Sequence, residues 1–61
     1  MAKYIMEREL AERWRKSLRS LQRMRAAGSG PAYLQIGRAI LYRLEDVEAF
    51  EAEHLRAGGG L

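Results

Sequence analysis

The 61-residue sequence has no cysteine, a single histidine and a single proline. Without cysteine the chain forms neither disulfides nor thiolate metal sites, and His54 does not build a metal site by itself. No apolar run approaches the ~20 residues of a membrane-spanning helix, and the N-terminal segment lacks the apolar stretch of a secretory signal. We therefore expect a chain without metal or cofactor that stays in the cytoplasm and does not enter a membrane.

Catalytic side chains are also scarce. A chain of this length makes one small domain that buries a modest fraction of its surface, which leaves little room for a cleft. It offers neither a cysteine nucleophile nor a spaced acid–base pair, so we expect neither an enzyme nor a protein that binds a small molecule. The expected domain spans residues 1–57, and the glycine-rich residues 58–61 form a flexible tail.

The middle of the chain lacks acidic side chains altogether. All eight acids lie outside residues 13–44, and eight of the eleven basic residues lie inside this block. The block carries +8, the flanks, with three basic and eight acidic residues, carry −5, and the net charge is +3. A centre this one-sided repels itself unless a negatively charged partner binds there, which favours nucleic acid. A solvated basic surface is the alternative interpretation.

Helical periodicity predicts three helices. Apolar residues at i, i+4 and i+8 place the first helix at residues 6–15. Ser17 is a favourable N-cap and Gly28 a favourable C-cap for the second helix, residues 17–27. The third helix covers residues 45–55, whose first two acids suit the positive end of a helix dipole. Since only one or two residues separate the first two helices, we expect them to cross steeply, as in a helix-turn-helix.

Between the second and third helices, β-forming residues flank Gly37 and Arg38 and predict a short hairpin over residues 32–43. Alternation places Ile40 and Tyr42 on one face of the hairpin and Leu41 on the other. The complete order of helix, helix, hairpin and helix predicts a mainly α fold with a small β-hairpin, which is a winged helix-turn-helix.

The aromatic side chains suit a core better than a platform on which bases stack. Trp14 lies on the apolar side of the first helix, and we expect Tyr33 and Tyr42 to pack in the core as well. His54 follows Phe50 by one helical turn. We therefore expect its imidazole to pack against that ring rather than to bind a ligand.

Five segments stand in a characteristic order along the chain. They are ELAERW at 9–14, Ser17, SLQR at 20–23, GPAYLQIG at 30–37 and YRLEDVEAF at 42–50. Together they resemble the MerR-related excisionase/AlpA-like domains, which are small DNA-binding domains of phages and mobile elements. The resemblance covers residues 4–54. It implies a winged helix-turn-helix in which residues 17–27 are the recognition helix and the turn at Gly37 and Arg38 is the wing.

The resemblance also implies a function. Such domains bind double-stranded DNA, either as recombination directionality factors (excisionases) or as small transcriptional regulators, in the bacterial cytoplasm. It implies side-by-side binding of copies on DNA, where we expect Leu41 to contribute to the contact, and an integrase as the partner of an excisionase. The chain departs from the family at the joint between the first two helices, where Arg15 and Lys16 replace a glycine and an aliphatic residue.

The outer face of the second helix carries the candidate base contacts. An α-helix fits the major groove, where arginine pairs with guanine, glutamine pairs with adenine and an apolar side chain can contact a thymine methyl. At about 100° per residue, Leu21, Met24 and Ala27 form the core side. Simple solvent exposure is the alternative for the opposite side. The candidate base contacts are Leu18, Arg19, Gln22 and Arg23.

Basic residues around the joint are placed to contact phosphates, which position a protein on DNA without reading its sequence. The start of the second helix also suits an anion. At the wing we expect Arg38 to reach the adjacent minor groove. An ion pair with Asp46 is the alternative for Arg43. The candidate phosphate contacts are Arg13, Arg15, Lys16, Ser17 and Arg43.

Two other classes of protein remain open. A protein-binding adaptor of the same fold, as in DNA packaging or in antitoxins, would bind DNA weakly and with little salt dependence. A membrane-surface peptide would use the basic amphipathic helix, but the acidic third helix and the hairpin argue against it.

Overall fold

The computed structural model describes residues 3–55, which form three helices and one antiparallel sheet of three strands. Within these residues no helix has the length and apolar character needed to cross a membrane. The expected boundary at residue 57 and the expected tail at 58–61 lie outside the described residues. The elements are β1 (Tyr4–Met6), α1 (Glu7–Trp14), α2 (Leu18–Ala27), β2 (Leu34–Ile36), β3 (Ala39–Arg43) and α3 (Leu44–Glu53).

The three helices lie close to their predicted positions, and α2 has the two caps that the sequence predicted. α1 and α2 begin and end within one residue of the predicted 6–15 and 17–27, whereas α3 begins one residue early and ends two residues early. The Ser17 Oγ accepts a hydrogen bond from the backbone N–H of Ser20 at 3.1 Å, which confirms the N-cap. Gly28 ends α2 in the left-handed region, with φ 70°, as the predicted C-cap requires.

The sheet contains one strand more than predicted. The hairpin of β2 and β3 forms as expected, but the segment before α1 adds β1 on the other side of β3. Tyr4 pairs with Arg43, and Met6 pairs with Leu41. The expectation of a mainly α fold with a two-stranded hairpin is therefore corrected to a small α+β fold with a three-stranded sheet.

The core lies between the sheet and the helices. As alternation predicts, Tyr42 is buried and Ile40 packs partly beside it. Tyr33 contradicts its predicted place in the core, because it is 45% exposed and presents its ring to the Arg25 guanidinium, whose carbon lies 5.7 Å from the ring centre. The fully buried side chains are Leu10, Leu21, Tyr42 and Val47.

Three stacked rings join α1 to α3. Trp14 is half-buried against the core, and its ring centre lies 5.4 Å from that of Phe50. The His54 ring stacks on Phe50 at 4.1 Å, which confirms the predicted contact.

The joint between α1 and α2 consists of residues 15–17 and holds Arg15 in the left-handed region, with φ 57°. The Arg15 N–H donates to the Glu12 carbonyl at 3.2 Å, and the Lys16 N–H donates to the Ala11 carbonyl at 2.9 Å. A side chain with a Cβ costs about 1–2 kcal/mol in this conformation. The backbone hydrogen bonds therefore hold the joint in a shape that glycine usually provides.

A buried carboxylate connects α1, α2 and the sheet. Glu7 is 8% exposed, and it accepts hydrogen bonds from the Arg25 guanidinium at 2.9 and 3.3 Å and from the Tyr42 hydroxyl at 2.8 Å. Within residues 3–55 no buried side-chain polar atom lacks a hydrogen-bond partner. The buried charge is therefore satisfied by groups from two other elements, as a charge in an apolar interior requires.

The protonation states follow from these contacts. Burial raises the pKa of Glu7, but the hydrogen bonds from Arg25 and Tyr42 and the positive charge of Arg25 outweigh it, so the net pKa is below the ordinary value. Burial, together with the hydrogen bond to Glu7, raises the pKa of Tyr42. At neutral pH the carboxylate is therefore ionised and the phenol keeps the proton that it donates.

Removing the charge of Glu7 should destabilise the fold. Because Glu7→Gln leaves the Arg25 guanidinium without its carboxylate, we expect the free energy of unfolding to fall by about 2–3 kcal/mol. Small domains rarely exceed ~3–5 kcal/mol in total. Tyr42→Phe is a milder variant, because it removes one hydrogen bond to Glu7 and keeps the ion pair with Arg25. The expected loss in the free energy of unfolding is about 1 kcal/mol. Urea unfolding followed by circular dichroism measures both losses.

Glu12→Gln is the matched control. Glu12 lies on the same helix as Glu7, but it is exposed and forms no ion pair within residues 3–55. Its replacement should leave the free energy of unfolding almost unchanged. Equal losses in Glu7→Gln and Glu12→Gln would contradict the role assigned to the buried carboxylate.

Candidate nucleic-acid interface

The outer face of α2 carries all four candidate base contacts. Leu21 on the opposite face is buried and Met24 is half-buried, so α2 rests on the core as predicted. Ala27, expected on the core side, is exposed instead. Because Leu21 and the Arg25–Glu7 pair anchor the helix, its outer face is available to a partner. The exposed candidates are Leu18, Arg19, Gln22 and Arg23.

The joint presents two cations at the start of α2. Arg15 and Lys16 are exposed, and neither forms an ion pair within residues 3–55. Ser17 is also exposed, but its hydroxyl is engaged in the cap, since it accepts from the Ser20 N–H and donates to the Ser20 Oγ, both at 3.1 Å. The structure thus brings three of the five predicted phosphate contacts together at one end of α2.

The hairpin turn lies beside the first turn of α2. Gly37 holds the turn with φ 60°, and the adjacent Arg38 is exposed. Arg38 and Leu18 line the same shallow depression, of about 180 Å³. Two regions that are twenty residues apart in sequence therefore contribute to one surface.

Ion pairing divides the basic residues into two groups. Residues 3–55 contain ten basic side chains, and three of them form ion pairs with carboxylates. The other seven form none within the described part of the chain, and five of these seven come from the joint, α2 and the hairpin turn. The unpaired group is Lys3, Arg8, Arg15, Lys16, Arg19, Arg23 and Arg38.

Arg13, a predicted phosphate contact, is bound by α3. Its guanidinium donates to both oxygens of Glu51 at 2.7 and 2.8 Å, and the Trp14 indole N–H donates to the same carboxylate at 2.6 Å. The hydrogen bonds from Arg13 and Trp14 lower the pKa of Glu51 to about 2. The pair holds α1 against α3 and leaves Arg13 outside the unpaired group.

Arg43 forms the ion pair with Asp46 that was the alternative to a phosphate contact. Its guanidinium donates to both oxygens of Asp46 at 2.8 and 3.1 Å and lies 3.4 Å from the Glu45 carboxylate. The three residues stand where β3 passes into α3, so the pair stabilises that passage. Arg43, like Arg13, is therefore engaged within the protein rather than free for a phosphate.

Sequence reasoning missed the positions of two arginines. Arg25 pairs with the buried Glu7, eighteen residues earlier. Arg8, counted with the acidic flank, lines the depression beside Arg38. No local pattern announces either position, because both depend on neighbours that are distant in sequence. The one local signal, Glu12 at i+4 from Arg8, suggests an ion pair that does not form.

The chemistry of the surface is known only from the residues of this chain. No family model, no curated protein and no solved structure matches the chain. The surface consists of an exposed helix face with guanidinium and amide groups, flanked by cations from the joint and the hairpin turn. Residues 3–55 hold no group of three or more His, Asp or Glu side chains arranged to bind a metal ion.

The Arg13–Glu51 pair predicts a loss of stability in acid. A carboxyl group with a lowered folded-state pKa stabilises the fold above its ordinary pKa of 4.5, and this contribution is lost as the pH falls toward about 2. We expect the free energy of unfolding of the wild type to fall over this range, and that of Glu51→Gln to fall less steeply. Urea unfolding at a series of pH values measures both slopes.

Two controls accompany this measurement. Glu12→Gln, which removes an exposed and unpaired carboxylate, should keep the wild-type slope. Added salt should reduce the difference between wild type and Glu51→Gln, because salt screens an exposed pair. Parallel slopes for wild type and Glu51→Gln at low salt would show that the pair does not stabilise the fold.

Proposed function

We propose that this chain is a winged helix-turn-helix protein that binds double-stranded DNA with sequence specificity. In this assignment α1 and α2 form the helix-turn-helix, α2 is the recognition helix in the major groove, and β2, β3 and their turn form the wing. The resemblance of the sequence to excisionase/AlpA-like domains supports two biological roles, control of excision and regulation of transcription in a phage or mobile element. An integrase is the proposed partner in the first role.

One observation carries the proposal: the unpaired cations gather around one exposed helix. Five of them surround or lie on α2, and no carboxylate within residues 3–55 pairs with them. Their mutual repulsion would be relieved by phosphates, since each neutralised phosphate also releases counterions. Solvation alone is the competing explanation. It does not account for the contrast with Arg13 and Arg43, each of which has a carboxylate partner.

The side chains of α2 match the edges of bases. Arg19 lies in the first turn of the helix, and the N-terminal half of a recognition helix usually contacts bases. Arginine binds the two acceptors of guanine, and the amide of Gln22 matches the donor and acceptor of adenine. Leu18, which is 43% exposed, supplies an apolar contact for a thymine methyl. Arg15 and Lys16 then contact the flanking phosphates.

Selection of bound DNA from random duplexes tests the proposal. The expected result is a defined motif, whose spacing also reports the number of bound copies. Recovery of no duplex at low ionic strength would overturn the proposal. Integrase-dependent excision, measured with and without the protein, then separates the excisionase role from a purely regulatory one.

Arg19 and Lys16 should support different kinds of binding. Arg19→Gln should relax the base preference at one position of the selected motif, with a loss of about 1–3 kcal/mol in discrimination. Lys16→Gln should weaken all duplexes alike and reduce the slope of log K against log salt by about 0.9. Gel shifts with matched and mismatched duplexes at several salt concentrations measure both effects.

Arg13→Gln is the control for removal of one positive charge. Because Glu51 already binds Arg13, its replacement should leave the salt slope unchanged. An Arg19 variant that weakens every duplex equally would exclude base reading by Arg19. A Lys16 variant with the wild-type salt slope would exclude its phosphate contact.

A protein-binding adaptor is the second candidate, and one groove favours it. An apolar groove of about 530 Å³ lies where the C-terminal ends of α1, α2 and α3 meet. Trp14, Met24 and Phe50 line it, together with Leu55, which is 74% exposed. An adaptor would use this groove for its partner and would bind DNA weakly. The salt slope therefore distinguishes the two candidates.

We extend the first proposal to contact between neighbouring copies on DNA. Leu41 lies on the outer face of the sheet between its cross-strand partners Met6 and Leu34, which are 52% and 42% exposed. Three short strands offer less than the ~1,200 Å² of total buried area that specific interfaces usually need. The contact would therefore form only where DNA holds two copies side by side.

Leu41→Gln should abolish cooperativity without changing the affinity for a single site. The polar amide disfavours burial against a second copy, whereas the DNA-binding face is untouched. Gel shifts with duplexes that carry one site or two adjacent sites measure the difference. Leu55→Gln, an apolar-to-polar change away from the sheet, is the control. Retained cooperativity in Leu41→Gln, or one copy per duplex at every concentration, would contradict this contact.

A further inference from the structure

A shallow depression of about 180 Å³ lies where the starts of α1 and α2 meet the hairpin turn. Arg8 from α1 and Arg38 from the turn contribute its two basic residues. The contributing elements are far apart in sequence, so the folded chain creates this combination. Most of the remaining lining is apolar and consists of Met6, Leu18, Ala39 and Ile40.

No available carboxylate of residues 3–55 offsets the two arginines. Within residues 3–55 neither forms an ion pair, although Glu12 follows Arg8 by one helical turn. The one acid that lines the depression, Glu7, is already bound by Arg25 and Tyr42. The depression therefore has a net positive charge that no side chain of the described residues neutralises.

The position of Arg8 is unfavourable for its own helix. Arg8 is the second residue of α1, where the positive end of the helix dipole disfavours a cation. Acids suit this turn, and Glu7 and Glu9 on either side of Arg8 follow that preference. A negatively charged group from outside the protein would offset both the dipole and the repulsion from Arg38.

We propose that Arg8 and Arg38 bind one phosphate of the DNA backbone between them, with the adjacent deoxyribose against the apolar lining. The inference rests on the proposed function and adds to it a contact from α1. Guanidinium groups match the oxygens of a phosphate in both charge and geometry. Met6, which is 52% exposed, and the exposed Ala39 supply apolar surface for the sugar. Arg38 is thereby assigned to the backbone rather than to the minor groove.

Replacing the phosphates of the selected duplex one at a time with neutral methylphosphonates tests the assignment. In the wild type, neutralising the phosphate that the two arginines share should lower the affinity for the duplex. The loss at that position should be smaller in Arg8→Gln and in Arg38→Gln, and absent in the double variant. Lys3→Gln, which removes another exposed cation, should give the wild-type profile.

The salt dependence provides a second readout. If the two arginines share one phosphate, the double variant should reduce the slope of log K against log salt by about 0.9. A reduction of about 1.8 would mean two separate phosphates and would overturn the shared site. Equal methylphosphonate profiles in the wild type and the double variant, together with sensitivity to the flanking base pairs that only the wild type shows, would place Arg38 in the minor groove and would also overturn it.

Inorganic phosphate distinguishes the DNA backbone from a free anion. At equal ionic strength it should displace the duplex no more than chloride does. Selective displacement of the duplex from the wild type, but not from the double variant, would assign the depression to a free anion and would overturn the inference.

Failure of this inference is distinguishable from failure of the proposed function. If Arg8→Gln and Arg38→Gln bind like the wild type while Arg19→Gln relaxes the base preference, only the shared phosphate is overturned. If the wild type binds no duplex, both are overturned. Circular dichroism of each variant confirms that any loss of binding does not come from unfolding.

Discussion

The relative orientation of α1, α2 and the sheet depends on one buried carboxylate. Glu7 begins α1 directly after β1, and its partners stand on α2 and β3. Burial of apolar side chains is non-directional, and the described core has few fully buried members. A buried ion tolerates only arrangements that keep its hydrogen bonds. The angle of α2 to the sheet, and with it the distance from the proposed recognition face to the hairpin turn, therefore follows from the contacts of Glu7.

The paired arginines share one task, which is to join elements. Arg25 connects α2 to α1, Arg13 connects α1 to α3, and Arg43 secures the passage from β3 into α3. The planar guanidinium fork suits this task, because it binds both oxygens of a carboxylate. These pairs use four of the acids of α1 and α3 within the protein. The positive charge that remains is concentrated around α2, where the proposed function needs it.

Much of the fold follows from local signals, whereas the site depends partly on distant ones. Helix periodicity and the caps Ser17 and Gly28 place the helices, and alternation assigns Tyr42 to the core. β1 is missed because three residues immediately before a helix carry no turn signal, and only pairing with β3 makes them a strand. Counting charges by segment finds the cationic middle, and proximity in sequence suggests the Arg43–Asp46 pair. The distant pairs are missed, since Arg13 and its carboxylate are thirty-eight residues apart. The exposed side chains of α2 were predictable, whereas the place of Arg8 was not.

The left-handed conformation of Arg15 sets folding against binding at one residue. Glycine would remove the backbone strain at the joint, but it would also remove a positive charge from the edge of the proposed DNA-binding face. Selection for thermal stability alone should therefore favour glycine at position 15, and the selected variants should have a lower affinity for nucleic acid. Thermal stability and affinity for DNA therefore place opposite demands on residue 15, because its φ angle favours glycine whereas the proposed contact requires a positive charge.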